Sequence, residues 1–296
     1  MIKLTVFTPT YNRAHTLPRT YESLVKQDCK EFIWLIVDDG STDQTEELVR
    51  KWQTEKTGFE IRYIYKPNGG MHTAHNTAYE NIDTELNVCI DSDDSMAEGA
   101  ISAILNKWEE VKNEGYAGLI GLDADVYGQI IGKGFPENLT ETTLSDYYAL
   151  GGSGDKKLIY RTDIMKKYPQ YPVFEGEKYV PLSYKYLLCD QKYKLGIISR
   201  IICVVDYQSD GSSATMWKQY LMNPNGFAVI RKLDMIYPNS RKKLFVATVH
   251  YVSCCFLAHK RILSTSPRKR ITFFLIPLGW ILSKYVKYRA KCLEKK

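Results

Sequence analysis

Residues 86–94 read LNVCIDSDD: an apolar run ends in three carboxylates within four residues. Carboxylates this close repel one another unless a cation lies among them. Hard divalent ions prefer oxygen ligands and usually bind one or two carboxylates together with substrate phosphates. In open α/β sheets, ligands bind outside the carboxyl ends of the strands. Asp91, Asp93 and Asp94 therefore predict a site for a metal and a diphosphate; the alternative interpretation is a solvated acidic turn that caps the next helix.

The first 112 residues alternate between strand-like and helix-like patterns. Residues 32–37 are continuously apolar, which indicates a strand buried on both faces. Ile101, Ile104 and Trp108 recur at helical spacing. Predicted strands are residues 3–8, 32–37, 61–65 and 86–90, and predicted helices are residues 14–27, 43–53, 71–81 and 97–112. This alternation predicts an α/β fold with a mostly parallel sheet covered on both faces.

The pattern becomes mixed after residue 116. Strands are predicted at residues 117–122, 129–132, 158–160 and 196–207, and helices at residues 163–167 and 182–188. Residues 169–181 contain several prolines and aromatic residues and predict irregular structure.

Length and composition are those of a globular protein. The chain has 296 residues, of which 44% are apolar, enough for one large domain or one domain with an elaboration. Its first nine residues are not expected to form a secretory signal, because the apolar run is short and no small-residue cleavage site follows. The seven cysteines lack metal or redox spacing, which is typical of reduced thiols in a cytosolic protein.

Charge is divided unevenly along the chain. Residues 231–296 contain sixteen Lys and Arg against two acidic residues, a net charge of +14. Because the whole chain carries +6, residues 1–230 carry −8. This asymmetry predicts an acidic catalytic body joined to a basic tail.

Two further polar segments follow the first two predicted strands. Residues 8–13 read TPTYNR, and residues 37–43 read VDDGSTD. A flat base needs an aromatic or backbone platform and a hydrogen-bond acceptor for its ring N–H, and Tyr11 and Asp39 are candidates for these roles. For Ser41 and Asp43 we favour the simpler interpretation that they start the next helix.

Residues 66–76, KPNGGMHTAHN, place two glycines before a predicted helix. Such glycines let backbone N–H groups approach an anion, and Lys66 adds positive charge there. The segment lacks the spacing of a dinucleotide-binding loop or a P-loop. His72 and His75 are predicted to make polar contacts near the ligand and not to bind metal.

Taken in order, these four segments resemble the family 2 glycosyltransferases, which have the GT-A fold with a Rossmann-like nucleotide-binding half and a mixed central sheet. The resemblance is close over residues 1–125 and looser to about residue 215. It implies that Pro9, Thr10, Tyr11 and Asp39 hold the uracil of a UDP-sugar. It further implies that the acidic segment holds the ribose and a divalent metal, either Mn²⁺ or Mg²⁺, for which Asp93 and Asp94 are the first choices. Nucleotide-sugar-binding residues implied by the resemblance are Pro9, Thr10, Tyr11, Asp39, Lys66, Asn76, Asp91 and Asp93.

The resemblance also implies an inverting reaction with a carboxylate base downstream. Sugar transfer needs a base because a hydroxyl is a poor nucleophile until its proton is accepted. The matching position is Glu177, although Lys178 stands where the family commonly has Asp. Glu175 and Asp190 are alternative bases, and an exposed acidic loop without a catalytic role is the remaining interpretation.

Transfer of a single sugar is expected, and not processive synthesis. The Gln-x-x-Arg-Trp string of polymer-forming relatives is absent around Trp217. Residues 207–213 contain no histidine of the kind that some relatives use as a late metal ligand.

The basic tail contains two apolar runs, residues 244–258 and 271–283. A membrane-spanning helix needs about twenty such residues, so neither run is expected to span. Clustered cations and aromatic residues flank the second run, which favours contact with an anionic membrane surface. The alternative is a helical pair packed on the catalytic domain. Nucleic acid is a poor candidate partner, because no recognised reader motif accompanies the charge.

The sequence thus predicts a GT-A catalytic domain over residues 1–215, with a nucleotide-sugar half at 1–125 and an acceptor half at 126–215. A basic helical extension follows at 216–296. The expected activity is transfer of one sugar from a UDP-sugar to a glycan or lipid-linked glycan during surface polysaccharide biosynthesis, at the cytoplasmic face of the membrane. The alternatives are a sugar nucleotidyltransferase and a binding protein without turnover.

Overall fold

The central sheet that the sequence predicts is present in the computed structural model, which describes residues 2–207 and 215–293. Nine strands of this described part form one sheet in the order β3-β2-β1-β4-β8-β6-β9-β5, and β7 pairs with β9. The strands are β1 (Leu4–Thr10), β2 (Phe32–Asp38), β3 (Glu60–Tyr65), β4 (Leu86–Cys89), β5 (Ser95–Met96), β6 (Gly118–Asp125), β7 (Glu141–Thr142), β8 (Lys156–Arg161) and β9 (Leu195–Val205).

The sheet is mixed. Strands β1 to β4 run parallel, and β6 runs parallel to β9. Strand β8 lies between β4 and β6 and is antiparallel to both. The predicted α/β class and mixed GT-A sheet are therefore confirmed.

In the first half of the chain, helices connect the strands at the expected places. In the described part they are α1 (Leu17–Val25), α2 (Thr45–Gln53), α3 (Met71–Asn81), α4 (Ala100–Val111), α5 (Leu144–Ala149), α6 (Thr162–Lys167), α7 (Ser183–Cys189), α8 (Met216–Met222), α9 (Pro224–Ile236), α10 (Arg241–Leu257) and α11 (Lys269–Leu293).

Burial explains the continuous apolar strands. Every residue of β1 and β2 is buried, because the sheet is covered on both faces. On α4, Ile101, Ile104 and Trp108 are at most 1% exposed and join the core that also contains Trp34. The helical spacing of the apolar residues therefore turns one face of α4 toward the sheet.

One predicted strand is wrong. Residues 129–132 form only an isolated bridge, between Ile130 and Ala124. The carboxylate of Asp125 accepts hydrogen bonds from the backbone N–H groups of Tyr127 and Gln129, both at 2.9 Å. Gly128 has φ +80°, a left-handed conformation that glycine adopts readily. A capped turn thus replaces the expected strand.

The chain forms two compact units. Of the described residues, the first unit contains 2–170 and 189–207, and the second contains 171–188 and 215–293. The sequence predicts a boundary after residue 215, whereas residues 171–188 already belong to the unit of C-terminal helices. Residues 207–213, which contain no histidine, lie outside the described part of the chain except for Tyr207.

Within the second unit, α10 packs against α9 and α11. Gly279 of α11 lies so close to α10 that a Cβ atom there would be 2.3 Å from Val252. Ser240 caps α10 by accepting a hydrogen bond from the backbone N–H of Lys243 at 3.0 Å. Among the helices in the described part of the chain, none has both the length and the apolar character needed to cross a bilayer.

Candidate active site

The polar segments predicted from the sequence meet at the carboxyl ends of the first strands. Asp39, after β2, donates its backbone N–H to the carbonyl of Thr10 in β1 at 2.8 Å. Pro9 and Thr10 are buried, and Tyr11 is 48% exposed. The Thr10 hydroxyl oxygen is buried and has no hydrogen-bond partner among the described residues. Tyr11, the residue after Thr10, therefore has an exposed side chain at the end of β1, whose last carbonyl accepts from Asp39.

Hydrogen bonds hold the loops after β1 and β2 together. Asn12 has the left-handed φ of 52° and donates its backbone N–H to the hydroxyl of Ser41 at 2.8 Å. Its side-chain oxygen accepts from the backbone N–H of Thr42, also at 2.8 Å. Asp43 accepts from the backbone N–H of Ala14 at 3.0 Å. Ser41 and Asp43 thus stabilise the loop pair, and Asp43 also accepts from the N–H of Thr45 at the start of α2, at 3.1 Å.

The two adjacent carboxylates after β2 have different partners. Asp38 is fully buried and accepts from the backbone N–H of Ser41 and from the hydroxyl of Tyr63, both at 2.7 Å. Asp39 accepts from the backbone N–H groups of Gly69 and Gly70 at 2.9 and 2.6 Å. Asp38 therefore anchors the strand end, and Asp39 reaches the loop after β3.

Asp39 has three further donors, of which the Thr73 hydroxyl, at 3.5 Å, is the most distant. Lys66 contacts its carboxylate at 2.5 Å, and the Asn68 side-chain amide donates at 3.1 Å. The anion that approaches the glycine loop before α3 is thus the protein's own Asp39. Lys66, predicted as a nucleotide-sugar-binding residue, pairs with Asp39 and donates to the Thr73 hydroxyl at 2.8 Å. Together these donors hold the Asp39 carboxylate at the sheet edge.

Tight turns allow this arrangement. Gly40 has φ +85°, and a Cβ atom there would lie 2.8 Å from the backbone nitrogen of Asn68. Only glycine fits such an approach without displacement of the neighbouring loop.

Two polar residues of α3 are buried near this loop. Asn76 is 9% exposed, and His72 is 1% exposed. Both ring nitrogens of His72 lack a hydrogen-bond partner among the described residues. Burial lowers the pKa of His72 to about 4, so its ring is neutral at pH 7.

Helix α1 holds the acidic loop after β4 through its polar side chains. The Thr20 hydroxyl donates to the carbonyl of Asp94 at 2.7 Å. The Arg19 guanidinium donates to the carbonyl of Asp93 and pairs with the Asp206 carboxylate after β9. Ser23 accepts from the backbone N–H of Met96 at 2.9 Å. These hydrogen bonds hold the acidic loop through its backbone. The side chain of Asp93 remains partly exposed.

Burial and mutual repulsion act on these carboxylates. Burial first, and then Asp91, raise the pKa of Asp93. Burial raises the pKa of Asp94 well above its usual range, an effect that Lys157 opposes and that Asp91 and Asp93 strengthen. Asp94 accepts weakly from the backbone N–H of Asp206 at 3.3 Å and from Cys203 Sγ at 3.7 Å. The acidic loop thus carries excess negative charge, which a cation would relieve.

These features fit a divalent metal that takes part of its ligands from a substrate. Asp93 is partly exposed, whereas Asp94 is 5% exposed and already hydrogen-bonded. In residues 2–207 and 215–293, no three Asp, Glu, His or Cys side chains converge closely enough to hold a metal alone. Since Mg²⁺ usually binds one or two carboxylates plus phosphates, Asp93 is the better-placed ligand and Asp94 the second.

The predicted base, Glu177, lies in the second unit and makes structural contacts there. Its carboxylate accepts from the backbone N–H groups of Asn225 and Gly226, both at 2.9 Å, and from the Asn225 side chain at 2.6 Å. These donors belong to the first turn of α9, so Glu177 stabilises the start of that helix. The alternative Glu175 is exposed. Asp190, in the first unit, accepts from the Ser145 backbone and hydroxyl at 2.9 and 2.7 Å.

Several site residues have no signal in the sequence. Arg19 and Thr20 are unremarkable helix residues, and their partners lie more than seventy positions away. Lys157 and Asp123 come together because β8 and β6 are neighbours. Burial lowers the pKa of Lys157. The opposite effect of Asp123, Cys203 and Asp94 is larger, so the pKa of Lys157 lies well above its usual value. A charged lysine therefore lies among the acidic residues at this edge.

Comparison with known proteins agrees with this geometry. The sequence profile described as "Glycosyl transferase family 2" matches residues 5–167. The GalNAc(5)-diNAcBac-PP-undecaprenol beta-1,3-glucosyltransferase of Campylobacter jejuni is 27% identical over 173 residues, which cover 56% of this chain and 54% of that protein. This chain therefore spans about half the length of that relative.

Solved structures share the fold. TarS 1-349 of S. aureus in complex with UDP-GlcNAc has a TM-score of 0.60 at 18% identity, covering 97% of this chain and 91% of that chain. The mannosyltransferase PcManGT from Pyrobaculum calidifontis, in complex with GDP-Man and Mn²⁺, has a TM-score of 0.56 at 15% identity, covering 98% and 83%. Because the profile covers more than half of the sequence and the predicted motifs meet at one sheet edge, the chain belongs to glycosyl transferase family 2.

Proposed function

We propose that this protein is an inverting glycosyltransferase that moves one sugar from a UDP-sugar to a hydroxyl group of a glycan or lipid-linked glycan. The observation that best supports this proposal is that the loops after β1, β2 and β4 meet at one edge of the sheet. That edge combines an exposed aromatic ring, a fixed carboxylate and an acidic loop. A relative that acts on an undecaprenol-linked glycan and a fold neighbour that binds UDP-GlcNAc support this proposal.

In this proposal the nucleotide lies across the ends of β1 and β2. Tyr11 supplies a platform for uracil, with Pro9 and Thr10 forming the floor beneath it. Asp39 accepts the uracil N–H in exchange for one of its present donors. Lys66 and Asn76 also bind the nucleotide sugar in this proposal. Asp91 binds the ribose.

Asp93, with Asp94, would hold Mn²⁺ or Mg²⁺ at the diphosphate. When bound, such a metal supplies Lewis-acid stabilisation of the charge on the departing UDP. Arg19 and Thr20 keep the acidic loop in place during the exchange, because they bind its backbone and leave the Asp93 side chain available.

Transfer with inversion is a single displacement. A carboxylate accepts the proton of the acceptor hydroxyl, the oxygen bonds to the anomeric carbon, and the bond from that carbon to the diphosphate oxygen breaks. The sequence prediction that Glu177 is this base remains a proposal. Its hydrogen bonds to α9 occupy lone pairs that a base needs, so the structural role competes with the catalytic one.

Glu177→Gln separates these two roles. Because Gln cannot accept all three hydrogen bonds as a carboxylate does, we expect the free energy of unfolding to fall by about 1–2 kcal/mol. If Glu177 is also the base, kcat falls by about 10²–10⁴-fold. Chemical denaturation and steady-state kinetics measure the two effects, with Glu175→Gln as the matched control from the same loop. Loss of stability with kcat kept within tenfold would exclude Glu177 as the base.

We further propose that α11 lies on an anionic membrane surface at the cytoplasmic face, where a lipid-linked acceptor is found. One face of α11 is buried with a spacing of three and four residues: Thr272, Leu275, Gly279, Ser283, Val286 and Ala290. On the opposite face, Phe274 is 77% exposed and Trp280 48% exposed. The next turns present Lys284, Lys287 and Lys291. Exposed aromatic side chains beside clustered cations suit the headgroup region of anionic lipids.

Vesicle sedimentation tests the membrane contact. We expect binding to vesicles that contain phosphatidylglycerol and much weaker binding to phosphatidylcholine alone. Since each lysine near such a surface contributes about 1 kcal/mol, replacing Lys284, Lys287 and Lys291 by Gln should weaken binding by about a hundredfold. The control replaces Lys51 of α2, Lys107 of α4 and Lys112, which directly follows α4. Equal loss in both variants would show general charge attraction only, and equal binding to both lipids would contradict the proposal.

Release of UDP tests the activity itself. A panel of UDP-sugars is supplied with Mn²⁺ and membrane lipid extract, and UDP formation is followed. Metal-dependent release from one sugar, raised by the extract, is the expected result. Tight UDP binding without release from any sugar would favour a binding protein without turnover.

A further inference from the structure

A further carboxylate, that of Asp123, lies at the same edge of the sheet and is not used by the proposed function. Asp123 of β6 is 2% exposed, and its Oδ1 atom has no hydrogen-bond partner among the described residues. Burial raises the pKa of Asp123 to about 6, and Lys157 is the residue that most opposes this effect. A buried carboxylate oxygen without a donor is costly in a folded protein, so this atom points to a ligand.

Strand register places Asp123 relative to the acidic loop. Lys157 of β8 pairs with Gly121 of β6, and Asp123 follows two residues later, on the same face of the sheet. Cys203 of β9 pairs with Asp123, and its thiol donates to Asp94 at 3.7 Å. Asp123, Lys157 and Asp94 therefore share one face at the carboxyl end of the parallel strands.

The order of strands along this edge matches the order of groups in a nucleotide sugar. Asp39 follows β2, the acidic loop follows β4, and Asp123 lies at the end of β6. The sheet order β2-β1-β4-β8-β6 separates each of these positions by two strands, about 10 Å. In a nucleotide sugar, the base, the ribose with its diphosphate, and the sugar follow one another at similar distances. Asp123 thus occupies the place of the sugar.

The chemistry at Asp123 selects the kind of group. A phosphate would be repelled by the carboxylate, and the charge of Lys157 disfavours a second cation there. A sugar hydroxyl is neutral and donates a hydrogen bond, which a carboxylate accepts strongly. Resting on the proposed UDP-sugar donor, we infer that Asp123 binds a hydroxyl group of the transferred sugar and that the positive charge of Lys157 favours the ionised form of its carboxylate.

Calorimetric titration tests this inference with Mg²⁺ present and without acceptor. The dissociation constants of UDP, UDP-GlcNAc, UDP-glucose and UDP-galactose are measured for the wild type and for Asp123→Asn. For the sugar that the wild type binds best, we expect the ratio of the UDP-sugar constant to the UDP constant to rise about tenfold, because a charge-assisted hydrogen bond becomes a neutral one. The UDP constant itself should change little.

The matched control is Asp125→Asn, which removes the same charge from the same strand, where the carboxylate caps a turn. Its ratio should equal that of the wild type. An unchanged ratio in Asp123→Asn, or an equal rise in Asp125→Asn, would overturn the inference. Absence of any UDP binding by the wild type would overturn the proposed function and this inference with it.

Asp123→Glu provides the test if Asp123→Asn does not fold. It keeps the negative charge beside Lys157 and moves the oxygens by one methylene. The same rise in the ratio is expected, since the hydroxyl loses its aligned acceptor. A ratio equal to that of the wild type would again overturn the inference.

Discussion

Asp93→Asn should reduce sugar transfer by about a hundredfold to a thousandfold while the protein stays folded. The expected loss is large because Asp93 is partly exposed and is a better-placed metal ligand than the buried Asp94. Rates of UDP release at saturating Mn²⁺, compared between wild type and variant, measure the loss.

The stability of Asp93→Asn should not fall with its activity, and should equal or exceed that of the wild type. Burial and Asp91 raise the pKa of Asp93, so the folded state binds its proton more tightly than the unfolded state does. Above the ordinary pKa of Asp, the ionised group therefore opposes folding. In EDTA at pH 8, the melting temperature of Asp93→Asn should equal or exceed that of the wild type. Glu98→Gln, a change at an exposed acid a few residues on, should leave both rate and stability unaltered.

A lower melting temperature with proportional loss of activity would contradict this account of Asp93. It would mean that the side chain supports the fold, and that the lost activity reflects unfolded protein.

Asp39→Ala should lower the free energy of unfolding by about 3 kcal/mol and weaken UDP binding. The side chain of Asp39 is 5% exposed and accepts from Lys66, Asn68, Gly69 and Gly70. Its removal takes the paired charge from a largely buried lysine, which keeps its bond to Thr73, and leaves two backbone N–H groups without their acceptor, which is costly. Urea denaturation measures the stability, and calorimetry measures the UDP affinity.

Asp43→Ala is the matched control for Asp39→Ala. Asp43 lies in the same loop, but its carboxylate accepts from the backbone N–H groups of Ala14 and of Thr45 at the start of α2. Its replacement should cost about 1 kcal/mol and leave UDP affinity unchanged. Equal effects of the two substitutions on UDP affinity would show that Asp39 acts only through loop stability.

The first half of the fold is predictable because its signals are local. Residues 32–37 are apolar without interruption since β2 is buried on both faces, and α3 begins and ends at the residues its pattern predicts. The carboxyl ends of parallel strands meet at one edge, so the clustering of Tyr11, Asp39 and the acidic loop also follows from the alternation of elements.

Contacts between distant residues are what the sequence does not reveal. Nothing near Glu177 indicates that it would stabilise the start of α9, a helix that begins 47 residues later at Pro224. The partners of Asp39 are equally unpredictable, because glycines before a helix indicate an anion from a ligand and not a carboxylate of the protein. The position of Lys157 among acidic residues is not predictable for a related reason, because it arises from the insertion of β8 between β4 and β6.

The central claim is that the sheet edge carrying Tyr11, Asp39 and Asp93 binds a nucleotide diphosphate together with a metal. A crystal structure with UDP and Mn²⁺, with anomalous scattering recorded for manganese, tests it most directly. The account predicts a manganese peak about 2.1 Å from an oxygen of Asp93, with the diphosphate bound to the same ion and uracil against Tyr11. Manganese or UDP bound away from this edge would contradict it.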